Sequence, residues 1–393
     1  MFSISGTCKL ICLAFTLMVM GGIRGADIAP APNAITVDSP QDYQVFQRAS
    51  RLRGTIRING RMDIDGGELQ FRLSGKSLEG DLLAKWEPVR IDPQSRAFKI
   101  EAPVPAGGWY RLELRVLKDG QIVAQATVEH VGVGEVFVVA GQSNATNYGS
   151  EKQHPASGMV AAFSGLKWTI ADDPQPGTQD SGKGGSFIPA FGDAMFEKYK
   201  VPIGVACVGS GATSVRQWLR KGEKIEVHPT LDSFVKTIAP GQWEATGALF
   251  DGLMKRIALL GPHGFRALLW HQGESDAGQA RAGYPAERQI SGEQYRQLLA
   301  RIIHASQEQA GWKFPWFVAQ ATYHSPTDSA DAEFRQAQKK LWDDGIAEPG
   351  PDTDVLTSDF RTGVHFNGKG LQAHGRLWAE KVSPYLDRMF SAP

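Results

Sequence analysis

The chain changes its hydrophobic pattern once, near residue 132. Upstream, apolar and polar positions alternate. In GWYRLELRVLKDGQIVAQATVEHV, Tyr110, Leu112, Leu114 and Val116 are separated by Arg111, Glu113 and Arg115. Lys118-Asp119-Gly120 interrupts the run, and Ile122, Ala124, Ala126 and Val128 resume it. Period two on both sides of an Asp-Gly turn predicts a β-hairpin. Leu69, Phe71 and Leu73 alternate in the same way, as do Phe98 and Ile100. No long amphipathic helix is visible, so residues 27–131 are expected to form a small all-β sandwich of immunoglobulin-like type. The Cys…Trp…Cys pattern of antibody domains is absent, which leaves the strand order open.

Downstream, strand-like runs alternate with segments of helical period. The runs VFVVA (136–140), IGVACV (203–208), RALLWH (266–271), PWFVAQA (315–321) and DVLTSD (354–359) are read as strands. Most are continuously apolar, as strands covered on both faces are. In residues 291–307, Tyr295, Leu298, Leu299, Ile302 and Ile303 follow the i, i+3, i+4, i+7, i+8 spacing of one helix face. Ser291 and Gln294 are placed for a capping box. Residues 331–345 and 370–382 are the other expected helices. Strands separated by helices predict a parallel sheet in a three-layer α/β/α, flavodoxin-like domain over 132–393. The Gly-, Pro- and Asp-rich stretch 147–190 is expected to form long loops over that sheet.

Length and charge narrow the picture. A chain of 393 residues suits two domains. Its 42 basic residues balance 42 acidic ones, which argues against nucleic acid or an acidic membrane as a partner. Residues 1–26 carry Lys9, an apolar run from Leu10 to Met20, and small residues ending at Gly25-Ala26. That is the layout of a secretory signal peptide, and the run is short for a membrane span. The mature chain is therefore expected to be exported, periplasmic or extracellular, and free of the membrane after cleavage. Cleavage removes Cys8 and Cys12 and leaves Cys207, so no internal disulfide can form. The oligomeric state is not legible.

The candidate chemistry begins where VFVVA stops, at Ala140-Gly141-Gln142-Ser143-Asn144. In open parallel sheets ligands bind beyond the carboxyl ends of the strands. A serine there is either a turn cap or a nucleophile, and a nucleophile needs a base and oxyanion donors. Three other strand ends offer partners. Cys207-Val208-Gly209-Ser210-Gly211-Ala212-Thr213 has glycines that let a backbone N–H approach a reacting carbonyl. Trp270-His271-Gln272-Gly273-Glu274-Ser275-Asp276 offers a side-chain amide. Gly363-Val364-His365-Phe366-Asn367 offers an imidazole to take and return the serine proton.

The blocks GQSN, GSGAT, WHQGESDA and GVHF, in this order, resemble the SGNH hydrolase superfamily, and more closely its sialate O-acetylesterase and acetylxylan esterase branch. The similarity covers about residues 133–385. It implies Ser143 as nucleophile and His365 as base, with an oxyanion hole from the Ser143 and Gly211 amides (Gly209 second) and the Gln272 side chain. It implies no metal and no organic cofactor. The superfamily usually has an Asp three residues before the base, and here that position is Thr362. Asp359 is the first expectation for the orienting carboxylate, Glu274 the second, and a backbone carbonyl the third. Trp218, Trp243 and Trp270 are weighed as sugar-stacking surfaces against core packing, and Arg216 as a substrate contact.

The function expected is that of a secreted serine esterase removing O-acetyl groups from an acetylated glycan through an acyl-enzyme. The alternative is a non-catalytic carbohydrate-binding scaffold with a degenerate esterase domain, for which Thr362 is the best support. A lipase or thioesterase on the α/β-hydrolase plan is disfavoured, because Gly141-Gln-Ser143-Asn-Ala145 lacks the second glycine of Gly-x-Ser-x-Gly.

Overall fold

One 21-residue strand, Gln121–Gly141, runs through both halves of the protein. The computed structural model describes residues 34–229, 231–279 and 283–391; the leader expected at 1–26 lies outside them. The first part of this strand pairs antiparallel with Gly107–Lys118. Asp119 and Gly120 form the turn, both at positive φ (54° and 77°), as a tight hairpin requires. Strand Glu68–Ser74 continues this sheet on the far side of Gly107–Lys118. Strands Ile35–Ser39, Arg53–Met62 and Ala97–Pro105 form a separate antiparallel sheet. Ile56 and Ile58 from that sheet share one core with Leu69, Leu112 and Leu114 from the other. The division expected at 131/132 falls inside the long strand, so the two halves are joined by a strand and not by a linker.

From Glu135 onward the same strand lies inside a parallel sheet, between Ile203–Cys207 and Ala267–His271. Trp316–Gln320 and Glu348–Asp352 extend the sheet on the second side. In chain order these five strands stand 2-1-3-4-5. Val160–Phe163 adds a further parallel strand beside Ile203–Cys207, and Trp168–Ile170 an antiparallel edge. Alternate residues feed two cores. Phe137, Val139, Val205, Leu269 and Phe317 pack with Phe191 of helix Ile188–Tyr199 and Trp378 of helix Gly368–Ser391. Val136, Val138, Ala206, Leu268 and Val318 pack with Leu253, Leu299 and Leu341 of helices Ala248–Leu260, Gly292–Ala310 and Ala332–Asp343. Helices thus cover both faces, and the Ser291–Gln294 capping box is formed. No helix among the described residues is long and apolar enough to cross a membrane.

Two expectations are corrected. The last parallel strand is Glu348–Asp352, not 354–359. Its sequence, EPGPD, hides it, because proline cannot donate to a ladder; the strand sits at the sheet edge, where that loss is tolerated. The 354–359 segment leaves the sheet because the Asp354 carboxylate accepts from Thr322 N (2.7 Å), Tyr323 N (2.9 Å) and Arg335 Nη1 (2.9 Å). The stretch 147–190 is not all loop, since it contains Val160–Phe163 and Trp168–Ile170.

A buried ionic joint ties the halves where the long strand crosses between them. Glu135 is fully buried and takes Arg48 Nε at 2.7 Å, Arg266 Nε at 2.7 Å and Gln47 Nε2 at 2.9 Å. Such a joint is costly to break from one side, because the remaining charges stay buried. Glu135→Ala is expected to lose about 3–5 kcal/mol of stability, read as a lowered midpoint of urea unfolding.

Candidate active site

The long strand ends on a backbone corner that only glycine fits. Gly141 has φ +131°, and a Cβ there would lie 2.0 Å from the His271 carbonyl oxygen. The next amide, Gln142 N, donates to that same oxygen at 2.9 Å. The chain then turns into a single 3-10 turn, Ser143–Ala145, at the carboxyl edge of the sheet. Thr146 closes the turn by donating from both N (3.0 Å) and Oγ1 (3.1 Å) to the Ser143 carbonyl. The Ser143 amide, first in the turn, has no acceptor within it.

His365 arrives on a small hairpin, Arg361–Thr362 against His365–Phe366, turned at Gly363 (φ +64°). The buried Arg361 guanidinium fixes this hairpin by donating to the carbonyls of Leu356 (2.6 Å), Val364 (2.7 Å) and Thr353 (2.9 Å). Asn144 ties the serine turn to it: Nδ2 donates to the Val364 carbonyl at 3.2 Å and to Glu274 Oε1 at 3.0 Å. Gln142 Oε1 accepts from Ser275 N at 3.1 Å and so ties the same turn to the helical turn Glu274–Ala277. Ser143, His365 and Glu274 together line one cavity of about 340 Å³, with Asn144, Ser275 and Gln279. Tyr148 packs beside the His365 ring, 5.3 Å between centroids.

Burial sets the electrostatics. The Glu274 side chain is 9% exposed. Desolvation pushes its carboxyl up to about 7, against the Asn144 hydrogen bond, which pulls it down. Its Oε2 has no hydrogen-bond partner among the described residues. Desolvation lowers the His365 pKa; the Glu274 charge raises it and Arg361 lowers it further. His365 is therefore a neutral acceptor near pH 7, coupled electrostatically to Glu274.

Several expected site residues lie elsewhere. Asp359 is exposed in the turn Ser358–Phe360, makes no bond to His365, and is absent from the cavity wall. It was placed at a strand end that the sheet does not have. Gln272 is fully buried beneath the corner, and its Nε2 is spent on the Thr213 carbonyl (3.0 Å) and Asp276 Oδ2 (2.7 Å). It does not face the cavity as an oxyanion donor. Gly211 N donates to Asp180 Oδ2 at 2.7 Å, so that amide is engaged too, while its neighbour Ala212 lines the cavity. Trp218 is fully buried, edge-on to Trp270 at 5.1 Å, with Nε1 donating to Thr213 Oγ1. It is core, not a sugar platform, and so is Trp270; Trp243 does not line the cavity either. Arg216 is 1% exposed and braces Asp276, Ser214 and the carbonyls of Val227 and Arg288. It does not reach the Ser143 cavity.

The sequence reading missed Asn144, Gln142 and Tyr148. The signal for the first two was present, since both flank Ser143 in a block otherwise apolar upstream. His324 also lines the cavity.

A largely buried serine, a neutral imidazole and a buried carboxyl line one cavity, the residue types that a serine ester hydrolase uses. A profile of the carbohydrate esterase family described as sialic acid-specific acetylesterase matches residues 133–383, and the chain belongs to that family. It is a carboxylic ester hydrolase of the carbohydrate acetylesterase type. A comparison with curated proteins finds no match. Among solved structures, a carbohydrate acetylesterase from Xanthomonas citri is 18% identical, with TM-score 0.55, covering 91% of this chain and 77% of that one. A protein from Arabidopsis thaliana is 17% identical, with TM-score 0.43, covering 65% of this chain and 98% of that one.

Because Trp218 is packed in the core, Trp218→Ala is expected to cost about 3–5 kcal/mol of stability in thermal unfolding. Trp218→Phe should leave KM for an acetylated sugar within about twofold, which a residue stacked on the substrate would not do.

Proposed function

We propose that the protein is a serine esterase that removes O-acetyl groups from carbohydrates through an acyl-enzyme. The observation that carries this reading is the convergence of Ser143, His365 and Glu274 on one cavity at the carboxyl edge of the sheet. Ser143 Oγ attacks the acetyl carbonyl while His365 takes its proton. The tetrahedral oxyanion is met by the Ser143 amide. Its collapse breaks the bond to the sugar oxygen, which leaves with the proton from His365. Water then repeats the sequence on acetyl-Ser143 and releases acetate. Glu274, and not Asp359, is the carboxylate that stabilises the imidazolium, by charge across the cavity. The family description and the Xanthomonas citri neighbour support an acetylated carbohydrate as substrate, a sialic acid ester among them. The signal-peptide layout of residues 1–26 supports export to the compartment where such glycans lie.

Ser143→Ala is expected to lower p-nitrophenyl acetate turnover by at least about 10³-fold, and retained turnover would overturn the mechanism. The pH dependence follows from the two titrating groups. His365 must be neutral to accept a proton, and Glu274 must be ionised to stabilise the cation. As pH falls, the carboxyl at about 7 fails first, so the acid limb of kcat/KM should lie near that value. Glu274→Gln removes this titration and the anion that raises the His365 pKa, so the limb should move to lower pH on a plateau about 10–100-fold down. Asn144→Leu removes the hydrogen bond that holds the carboxyl down, so its limb should move to higher pH.

A further inference from the structure

The cavity holds one polar side chain that the reaction above does not use. Gln279 is 1% exposed and lines the cavity beside Ser143 and His365. Both ends of its carboxamide, Nε2 and Oε1, are buried without a hydrogen-bond partner among the described residues. Its backbone is well placed: N donates to the Asp276 carbonyl at 3.4 Å, and the carbonyl accepts from Tyr284 N at 3.3 Å. The main chain is therefore anchored while the side-chain amide is left with nothing to bond. Of the other side chains with unpaired buried polar atoms, Arg48, Gln175, Trp270, His271, Gln272, Trp316 and His374 lie away from this cavity, and Glu274 already has its role.

A buried amide with neither end paired is destabilising, because it has lost water and gained nothing. Such a group is retained where a ligand completes it. The same cavity wall carries Leu231, Tyr284, Tyr323 and Val364, apolar and aromatic surface against which a sugar ring can pack. A carboxamide presents a donor and an acceptor about 2 Å apart, and its complement is a ligand group that presents an acceptor and a donor side by side.

We propose that Gln279 is the specificity-determining residue of this site, pairing through Nε2 and Oε1 with an adjacent donor–acceptor pair on the sugar that carries the scissile acetyl ester. Two groups have that chemistry: neighbouring ring hydroxyls and an acetamido group. The proposal rests on the esterase reading and names what part of the substrate that site reads. An ester lacking such a group leaves the buried amide unpaired and is penalised for it, which is how polar sites discriminate most strongly.

The test uses the full chain and three esters: p-nitrophenyl acetate, a methyl xylopyranoside mono-acetate and an O-acetylated N-acetylhexosamine. Gln279→Met keeps the volume and deletes both polar ends. Its loss of kcat/KM on at least one sugar ester should exceed its loss on p-nitrophenyl acetate by tenfold or more, carried mainly by KM. The sugar that suffers more identifies hydroxyls or acetamide as the group read. The melting temperature of Gln279→Met should equal or exceed that of the parent, because an unpaired buried amide has been removed. A marked drop would show that the amide is bonded within the protein and would overturn the proposal independently of any activity. Equal losses on all three esters would overturn it while leaving the esterase reading intact. A parent that hydrolyses none of them removes the esterase reading and this proposal with it. Gln279→Glu, which keeps the shape and one acceptor but loses the donor, should show the same selective loss; no selective loss there counts against the donor half of the pairing.

Discussion

The site depends on how closely two backbone segments approach at the end of the central strands. Gly141 lies against the carbonyl of His271, in register with it across the parallel pair. A side chain at 141 would have to occupy the space of that oxygen, and the positive φ would add strain of its own. Because the corner is this tight, Gln142 can still donate to His271 while the chain turns out of the sheet. Ser143 is thereby delivered to the rim within two residues of the ladder's end. The turn that carries it is then held from both sides by its own flanking amides, Gln142 on the 273–275 segment and Asn144 on Glu274 and Val364. A loop serine would be mobile; this one is fixed by the strand behind it and by the two segments that bring its partners.

The same compactness explains the charges. His271 and His374 are buried with rings 4.8 Å apart, and burial drives both far toward the neutral form, His271 to about 3. They contribute shape and no charge beneath the site. Arg361 is the cation of this region, and it is spent on backbone carbonyls and on the faces of Tyr323 and Phe366 at 4.0 Å. Among the described residues Glu274 has at its carboxylate the His271 ring, 3.7 Å away and neutral, and it sits high for a carboxyl. A carboxylate kept short of partners gains the most from a nearby imidazolium, and so its attraction is greatest when His365 becomes charged. In the proposed reaction this arrangement places the stabilisation where charge develops.

Much of the fold was legible because it rests on local pattern. The alternation around Asp119-Gly120 gave the hairpin, and the spacing of Tyr295, Leu299 and Ile303 gave the helix with its capping box. Four of the five expected parallel strands were visible as apolar runs. The fifth was not, because its proline content contradicts strand propensity and only its position at the sheet edge makes it allowable. Ser143, His365 and Glu274 were legible as members of motifs. The carboxylate expected first was not the one that faces the cavity, since a one-segment shift of the last strand moved Asp359 into an exposed turn. Trp218, Arg216 and Gln272 carry chemistry-bearing side chains, and nothing in a linear sequence distinguishes those from the same side chains turned inward. Arg216 and Gln272 are oriented by Asp276, some 60 residues from Arg216 in sequence, and Trp218 by Thr213.

Asp276 shows how one motif divides its labour. Along His271-Gln272-Gly273-Glu274-Ser275-Asp276, Gly273 (φ +154°) breaks the strand and starts a helical turn, so the residues after it fall on different sides. Glu274 and Ser275 face the cavity. Asp276 faces the interior and gathers Gln272 Nε2, Ser214 Oγ, Val215 N and Arg216 Nη2. That buried knot binds the segment after Cys207 to the segment after His271, and so sets the spacing of two walls of the cavity. Side chains that resemble catalytic donors in sequence act here as its struts. Beneath the site the Asp276 carboxylate is fully engaged, and of the side chains with unpaired buried polar atoms only Glu274 and Gln279 are on the cavity wall among the described residues.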